Sequence, residues 1–161
     1  MLYKKIAFAI VGLLLAIQLI RPSFKNPPVD PAQDFQQVTQ APAEVVSILK
    51  KACYDCHSNE TKYPWYSQVA PASWFLASHI NEGREKLNFS TYGTLSTEDR
   101  NEALDEAMES IQEGEMPLPS YTWFGLHPEA NLTAAERNTL LGWLTANGGE
   151  GGSEAKEEEE D

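Results

Sequence analysis

The amino-acid sequence predicts an all-α fold that is preceded by an N-terminal transmembrane helix. Apolar residues in the middle of the chain recur every three or four positions, which is the period of a helix that buries one face. Alternating apolar and polar residues do not stand out, and neither do hairpin dipeptides. The chain also begins with a long apolar run, which is the reason for the predicted transmembrane helix.

Residues 6–20 are apolar except for Gln18, and Lys4 and Lys5 precede them. Counted from Leu2, the run has about 19 residues, which approaches the roughly 30 Å of a bilayer core. Small residues that would allow cleavage are missing before Arg21, so an uncleaved anchor is favoured over a cleavable signal peptide. The leading lysines place the N-terminus in the cytoplasm. We therefore expect an anchor over residues 1–21, crossing the cytoplasmic (inner) membrane once, with the remainder in the periplasm.

The two segments that flank the body of the chain differ from it in composition. Residues 22–42 hold five of the ten prolines, which predicts an extended linker. Residues 148–161 carry seven acids and one lysine, which predicts a disordered tail that either aids solubility or docks to a basic partner. Residues 43–147 remain as a single domain.

Local signals mark the helices of this domain. Ser96 and Thr133 each stand three residues before an acid, as helix caps do, and Gly114 and Gly148 are suited to helix ends. The predicted helices are 43–52, 71–85, 96–113 and a last one from Thr133 to Asn147.

Charge and composition exclude some functions. The 161 residues include 12 Lys and Arg against 24 Asp and Glu, a net charge of −12. Nucleic acid is excluded as a partner because its phosphates require a basic surface. With 42% hydrophobic residues the chain can form a core, so it is not disordered throughout.

Cys53, Cys56 and His57 form a C-x-x-C-H motif, which is the attachment signature of a c-type haem. Thiols three positions apart on a helical turn can reach both vinyl groups on one edge of a porphyrin. The adjacent imidazole then ligates the iron. The motif uses both cysteines of the chain, so we predict one covalent haem c, with His57 as the proximal ligand.

Besides a chance occurrence of the pattern, the motif has two alternative interpretations, a zinc site and a redox-active thiol pair. A zinc site needs a fourth ligand, which only His79 or His127 could supply. A redox-active C-x-x-C needs a βαβ context, which the pattern lacks. Haem is favoured over these alternatives.

Three possibilities compete for the distal side of the iron. Met116 follows the helix stop at Gly114 in a proline-containing loop, and it is the favoured ligand. His79, on the second predicted helix, is the alternative, and an open distal position is the third. The choice matters because a thioether ligand raises the reduction potential relative to a second imidazole.

A porphyrin pocket needs a large apolar lining. The aromatic candidates for this lining are Trp65, Tyr66, Trp74 and Tyr121. For each of them, ordinary packing in the protein core is an equally good interpretation. Arg84 is a candidate partner of a haem propionate, although an ion pair with Glu82 or Glu85 is an alternative.

The motif and the segments around it resemble the family of small haem-binding domain proteins with a CxxCH motif. The matching segments are 53–61, 63–67, 70–74, 79–84, 87–90, 114–121 and 127–130. More distantly, the chain is similar to class I cytochromes c. That resemblance implies a cytochrome c-like helical domain wrapped around one covalent haem, with Met116-Pro117 as the distal element. It also implies that the first and last helices of the domain pack together.

We therefore expect a membrane-anchored mono-haem cytochrome c that transfers electrons outside the cytoplasm and is not an enzyme. Its partner is a redox protein, and the acidic helix 96–113 would steer a basic one. The alternatives are a haem-based gas or redox sensor and a small haem peroxidase with an open distal site.

Overall fold

A computed structural model describes residues 2–148, apart from the side chain of Phe124. Within this range the chain forms eight α-helices and five short 3-10 segments, and it forms no strand. The helices are α1 (Leu2–Ile17), α2 (Phe35–Thr39), α3 (Ala43–Ala52), α4 (Tyr54–His57), α5 (Ala72–Lys86), α6 (Thr97–Glu113), α7 (Pro119–Thr122) and α8 (Ala134–Asn147). The 3-10 segments are Pro31–Gln33, Trp65–Gln68, Phe89–Thr94, Trp123–Gly125 and Pro128–Ala130. The prediction of an all-α fold is confirmed.

The predicted transmembrane helix is wrong. Helix α1 has 16 residues, or about 24 Å, and no helix between residues 2 and 148 is long and apolar enough to cross a membrane. The helix ends at Ile17, and the side-chain amide of the next residue, Gln18, hydrogen-bonds both the N–H and the C=O of Ala70, each at 2.9 Å. The predicted single-pass location in the cytoplasmic membrane, with the body in the periplasm, is wrong for the same reason, because it depends on that transmembrane helix. Met1, part of the predicted anchor, lies outside the described residues.

The proline-rich stretch 22–42 contains a 3-10 turn and helix α2 where an extended linker was predicted. Phe35 of α2 is 1% exposed. Its ring lies 5.2 Å from that of Phe89, 5.0 Å from that of Tyr92 and 5.5 Å from that of Trp143. Phe35 therefore belongs to the core, whereas the prolines of this stretch are exposed or half-buried.

The helices predicted from local signals are present. Helix α3 has the predicted bounds, and α5 begins and ends one residue later than predicted. The Ser96 hydroxyl caps α6, which ends at Gly114 with a positive φ of 78°. Thr133 and Glu136 form a capping box at the start of α8. The predicted acidic tail lies outside the described residues from residue 149 onward.

The core lies among α2, α3, α6, α8 and the 3-10 segment after α5. Helix α8 packs against both α6 and α3, so the first and last helices of the body are in contact, as the resemblance implies. Helix α4 packs against α5 and α3. The most deeply buried core side chains include Phe35, Val45, Ile48, Phe89, Tyr92, Leu104 and Leu140. This arrangement leaves a cavity between α3, α5, α6 and α8.

An ion pair connects α3 to α8. The ammonium of Lys51 lies 2.5 Å from Oε1 of Glu136, whose other oxygen accepts hydrogen bonds from the N–H and hydroxyl of Thr133. The Lys51 hydrogen bond and then those of Thr133 lower the pKa of Glu136 from 4.5 to about 2. The carboxylate therefore stabilises the folded state fully above pH 4.5, and this contribution is lost as the pH falls through about 2.

We expect Glu136→Gln to lower the midpoint of urea unfolding at pH 7, because it removes the charged partner of Lys51. The difference from the wild type should narrow at pH 3, where the wild-type carboxylate has lost part of its advantage. Glu102→Gln, at an exposed position of α6, is the control. If the urea midpoints of wild type and Glu136→Gln differ as much at pH 3 as at pH 7, the pKa of Glu136 is not lowered in the folded state.

Candidate functional site

The C-x-x-C-H motif folds as one helical turn directly after α3. The N–H groups of Cys56 and His57 both donate to the carbonyl of Cys53, at 3.1 and 2.9 Å. Both cysteines are free thiols, and all three residues line the same cavity. The turn thus presents two thiols and one imidazole to a common space, as the attachment of one porphyrin edge requires.

The imidazole of His57 is oriented by the backbone at the end of α5. Its Nδ1 lies 3.1 Å from the carbonyl oxygen of Leu87. Because a carbonyl can only accept, Nδ1 must carry the proton in this bond, and Nε2 keeps its lone pair for a metal. Burial lowers the pKa of His57, which favours the neutral imidazole that a metal ligand needs.

Helix α5 comes very close to the C-x-x-C-H turn at Gly83. A Cβ atom placed on this glycine would lie 3.0 Å from the carbonyl oxygen of Cys56. Glycine therefore allows the approach that brings Leu87 to His57. The sequence analysis did not single out Gly83, although an isolated glycine inside a helical pattern is a known signal of close packing.

The cavity beside the turn has a volume of about 520 Å³, within the range of small-molecule and cofactor sites. Its wall is largely apolar and comes from α2, α3, α5, α6, α8 and the loop after α6. Apolar side chains of the wall include Phe35, Leu49, Leu87, Phe89, Leu104, Ile111, Leu140 and Leu144. A large apolar space next to two thiols and an oriented imidazole fits a haem, since a porphyrin must be shielded from water.

Both predicted distal ligands, Met116 and His79, line this cavity. Met116 is half-buried against the core, and its N–H donates to the carbonyl of Ser110 at 3.1 Å. Nδ1 of His79 lies 2.8 Å from the carbonyl of Phe75, so its Nε2 is also available as a ligand. The structure brings both candidates to the cavity, and the choice between them stays a prediction.

Four of the predicted pocket residues, Trp65, Tyr66, Trp74 and Arg84, do not line the cavity. The hydroxyl of Tyr66 lies 2.8 Å from Nε2 of His127. Trp65 is 73% exposed. The indole N–H of Trp74 donates to the carbonyl of Ile20 at 2.8 Å. Arg84 donates through Nε to the carbonyl of Ser58 at 2.8 Å, where it braces the segment after α4. Its guanidinium therefore supports the C-x-x-C-H turn from outside the cavity.

Tyr121 lines the cavity, and its role in a haem pocket stays a prediction. Its hydroxyl donates to Oδ2 of Asp55 at 2.9 Å, and its ring stacks on His127 with the centroids 3.9 Å apart. Burial, and then the Asp55 carboxylate, raise the pKa of Tyr121, so the phenol stays protonated. The sequence analysis missed Asp55, because nothing in the local pattern indicates a partner 66 positions away.

The two thiols are not poised as redox nucleophiles. Burial raises the pKa of Cys53 to about 12 and that of Cys56 to about 11, whereas a reactive C-x-x-C thiol has a lowered pKa.

Across residues 2–148, no three His, Cys, Asp or Glu side chains are grouped as ligands of one ion, so the zinc alternative lacks a ligand set there.

The contact at Gly83 can be tested against a glycine that has free space around it. Gly142 of α8 has no atom within 4 Å of its added Cβ, so Gly142→Ala should raise the free energy of unfolding by about 0.5–1 kcal/mol. Gly83→Ala gains the same helix propensity but crowds the Cys56 carbonyl, which costs about 1–3 kcal/mol. We expect it to destabilise the protein in urea unfolding. Equal stabilisation by both variants would contradict the close contact.

Comparison with known proteins identifies a family for the chain. A family described as the haem-binding domain matches residues 12–146, a range that includes the C-x-x-C-H turn, the cavity and both distal candidates. No curated protein and no solved structure matches the chain. Because the match covers most of the sequence, the chain belongs to the haem-binding domain family.

Proposed function

We propose that this protein is a mono-haem c-type cytochrome that transfers electrons. In this proposal Cys53 and Cys56 hold the haem through thioethers, and His57 is the proximal ligand of its iron. The observation that carries the proposal is the hydrogen bond of His57: the Leu87 carbonyl accepts from Nδ1–H, which leaves the lone pair of Nε2 free for a metal, and His57 lines the same cavity as both thiols. A bound haem supplies an iron that cycles between two oxidation states.

The chain's own residues would support this chemistry by orienting the proximal ligand and by shielding the haem from water. The Leu87 carbonyl fixes the ring of His57, so the ligand does not have to reorganise when the charge of the iron changes. The apolar wall from α3, α6 and α8 keeps water away and favours the less charged state of the site.

We propose Met116 as the distal ligand. It lies in the cavity wall on a loop whose backbone is bonded to the end of α6, so the backbone of Met116 is held beside the cavity. A peroxidase would instead need an acid–base group and a charged stabiliser over an open site. His79 and Arg84 are the residues that could be considered for those roles, yet only His79 lines the cavity, and Arg84 is bonded to Ser58. This separation favours electron transfer.

A basic redox protein is the proposed partner. Three exposed carboxylates lie at the rim of the cavity, Glu82 on α5 and Glu106 and Glu109 on α6. In the described part of the chain they share the lining with a single lysine, Lys86. This rim would attract a positively charged surface to the side of the molecule where the cavity opens.

The covalent cofactor is tested by producing the chain together with a haem c ligation system. We expect haem staining that survives denaturing electrophoresis, and a mass that exceeds that of the polypeptide by one haem. Cys53→Ser/Cys56→Ser should abolish the stain, because both thioethers are lost, whereas Met116→Ala should retain it. A wild-type protein with the mass of its amino acids alone would refute the proposal.

The distal ligand is tested by the spin state of the ferric protein. We expect the wild type to be low-spin and six-coordinate. Met116→Ala should become high-spin because it removes the distal thioether, and His79→Ala should stay low-spin. Absorption and electron paramagnetic resonance spectra distinguish the two states. The opposite pattern would assign His79 as the ligand.

A further inference from the structure

We propose that the hydrogen bond between Tyr121 and Asp55 is a latch that positions Met116 over the cavity. It does so by tying the loop after α6 to the turn that carries the two cysteines and His57. We call residues 114–121 the distal loop. This inference rests on the proposed role of Met116 as the distal ligand.

One end of the distal loop is fixed to α6. The N–H groups of Glu115 and Met116 both donate to the carbonyl of Ser110, at 2.9 and 3.1 Å. Gly114 makes this reversal possible with a φ of 78°, a conformation that other residues rarely adopt. The backbone on the α6 side of Met116 is thus held, and the path of the rest of the loop depends on its other end.

The other end is held by the hydroxyl of Tyr121, which donates to Oδ2 of Asp55 at 2.9 Å. The carboxylate is itself fixed, because its Oδ1 accepts from the N–H of Lys62 at 2.9 Å and its backbone carbonyl accepts from the hydroxyl of Thr61 at 2.7 Å. A bond from a hydroxyl to a charged carboxylate is among the stronger hydrogen bonds of a protein. Among the described residues, it is the side-chain hydrogen bond that joins the distal loop to the C-x-x-C-H turn.

The ring of Tyr121 is held from its outer side as well. It stacks on His127 at an interplanar angle of 8°, and Nε2 of His127 lies 2.8 Å from the hydroxyl of Tyr66. His127 is only 8% exposed. The stacking confines the plane of the Tyr121 ring, and the bond to Asp55 sets how far the ring reaches toward the cavity. Together they place the distal loop against the cavity wall.

The latch makes one element responsible for both sides of the iron site. Asp55 stands between Cys53 and Cys56 and two positions before His57, so the short turn that would hold the proximal ligand also anchors the distal loop. Met116, Leu118 and Tyr121 of that loop all line the cavity. Loss of the bond would free the loop to move outward and take the thioether away from the iron.

The test uses the full-length, haem-loaded protein and added imidazole as a competitor for the distal position. Tyr121→Phe removes only the hydroxyl. We expect its covalent haem stain to be unchanged and its apparent affinity for imidazole to rise about tenfold, which corresponds to the loss of one charge-assisted hydrogen bond. The charge-transfer absorption between the methionine sulfur and ferric iron should weaken in the absence of imidazole.

Tyr63→Phe is the matched control, since it removes a tyrosine hydroxyl that donates to Oδ1 of Asn26 at the same distance of 2.9 Å, away from the distal loop. Its affinity for imidazole should stay at the wild-type value. A merely structural role of Tyr121 would lower stability and leave the imidazole affinity of the folded protein unchanged, and that result would overturn the latch.

Two further measurements keep the outcome decisive. If Tyr121→Phe does not fold, Asp55→Asn replaces it, because this variant removes the charge of the same bond, and the same direction of change is expected.

Met116→Ala distinguishes failure of the latch from failure of the proposed function. If this variant and the wild type have the same spectrum and imidazole affinity, Met116 is not the ligand. If they differ while Tyr121→Phe equals the wild type, only the latch is refuted.

Discussion

The close approach of α5 to the C-x-x-C-H turn is the constraint on which the site depends. Gly83 lets the helix backbone reach the Cys56 carbonyl, and four residues later the Leu87 carbonyl meets Nδ1 of His57. The orientation of the imidazole is therefore set by main-chain atoms. A side-chain partner could be replaced by mutation or could turn away, whereas this carbonyl is displaced only if α5 itself moves.

The parts of the fold that the sequence predicts are those decided by neighbours along the chain. The Ser96 cap, the Gly114 stop and the Thr133–Glu136 capping box involve residues at most a few positions apart, so the bounds of α6 and α8 could be predicted from local pattern. The C-x-x-C-H motif is local in the same sense, because its spacing already places its three groups on one turn.

The parts that were not predicted depend on residues far apart in the chain. Helix α1 ends where Gln18 bonds to Ala70, 52 positions later, and a hydropathy count does not contain that contact. Phe35 is buried by three rings from two later segments, the 3-10 segment after α5 and helix α8, although the prolines around it suggest an extended chain. Arg84 resembles a propionate partner in the sequence, yet its guanidinium is engaged by Ser58. Such contacts become visible only once the chain is folded.

The attachment of the distal loop bears on the choice between a relay and a sensor. A sensor that binds a gas at its iron needs a distal ligand that leaves easily. The loop that carries Met116 is instead held on one side by Ser110 and on the other by Tyr121. Moving the thioether away would mean breaking hydrogen bonds in a half-buried region, in addition to the bond to the metal. In the proposed cytochrome such a loop would keep the coordination sphere constant between oxidation states, which is the property that fast electron transfer requires.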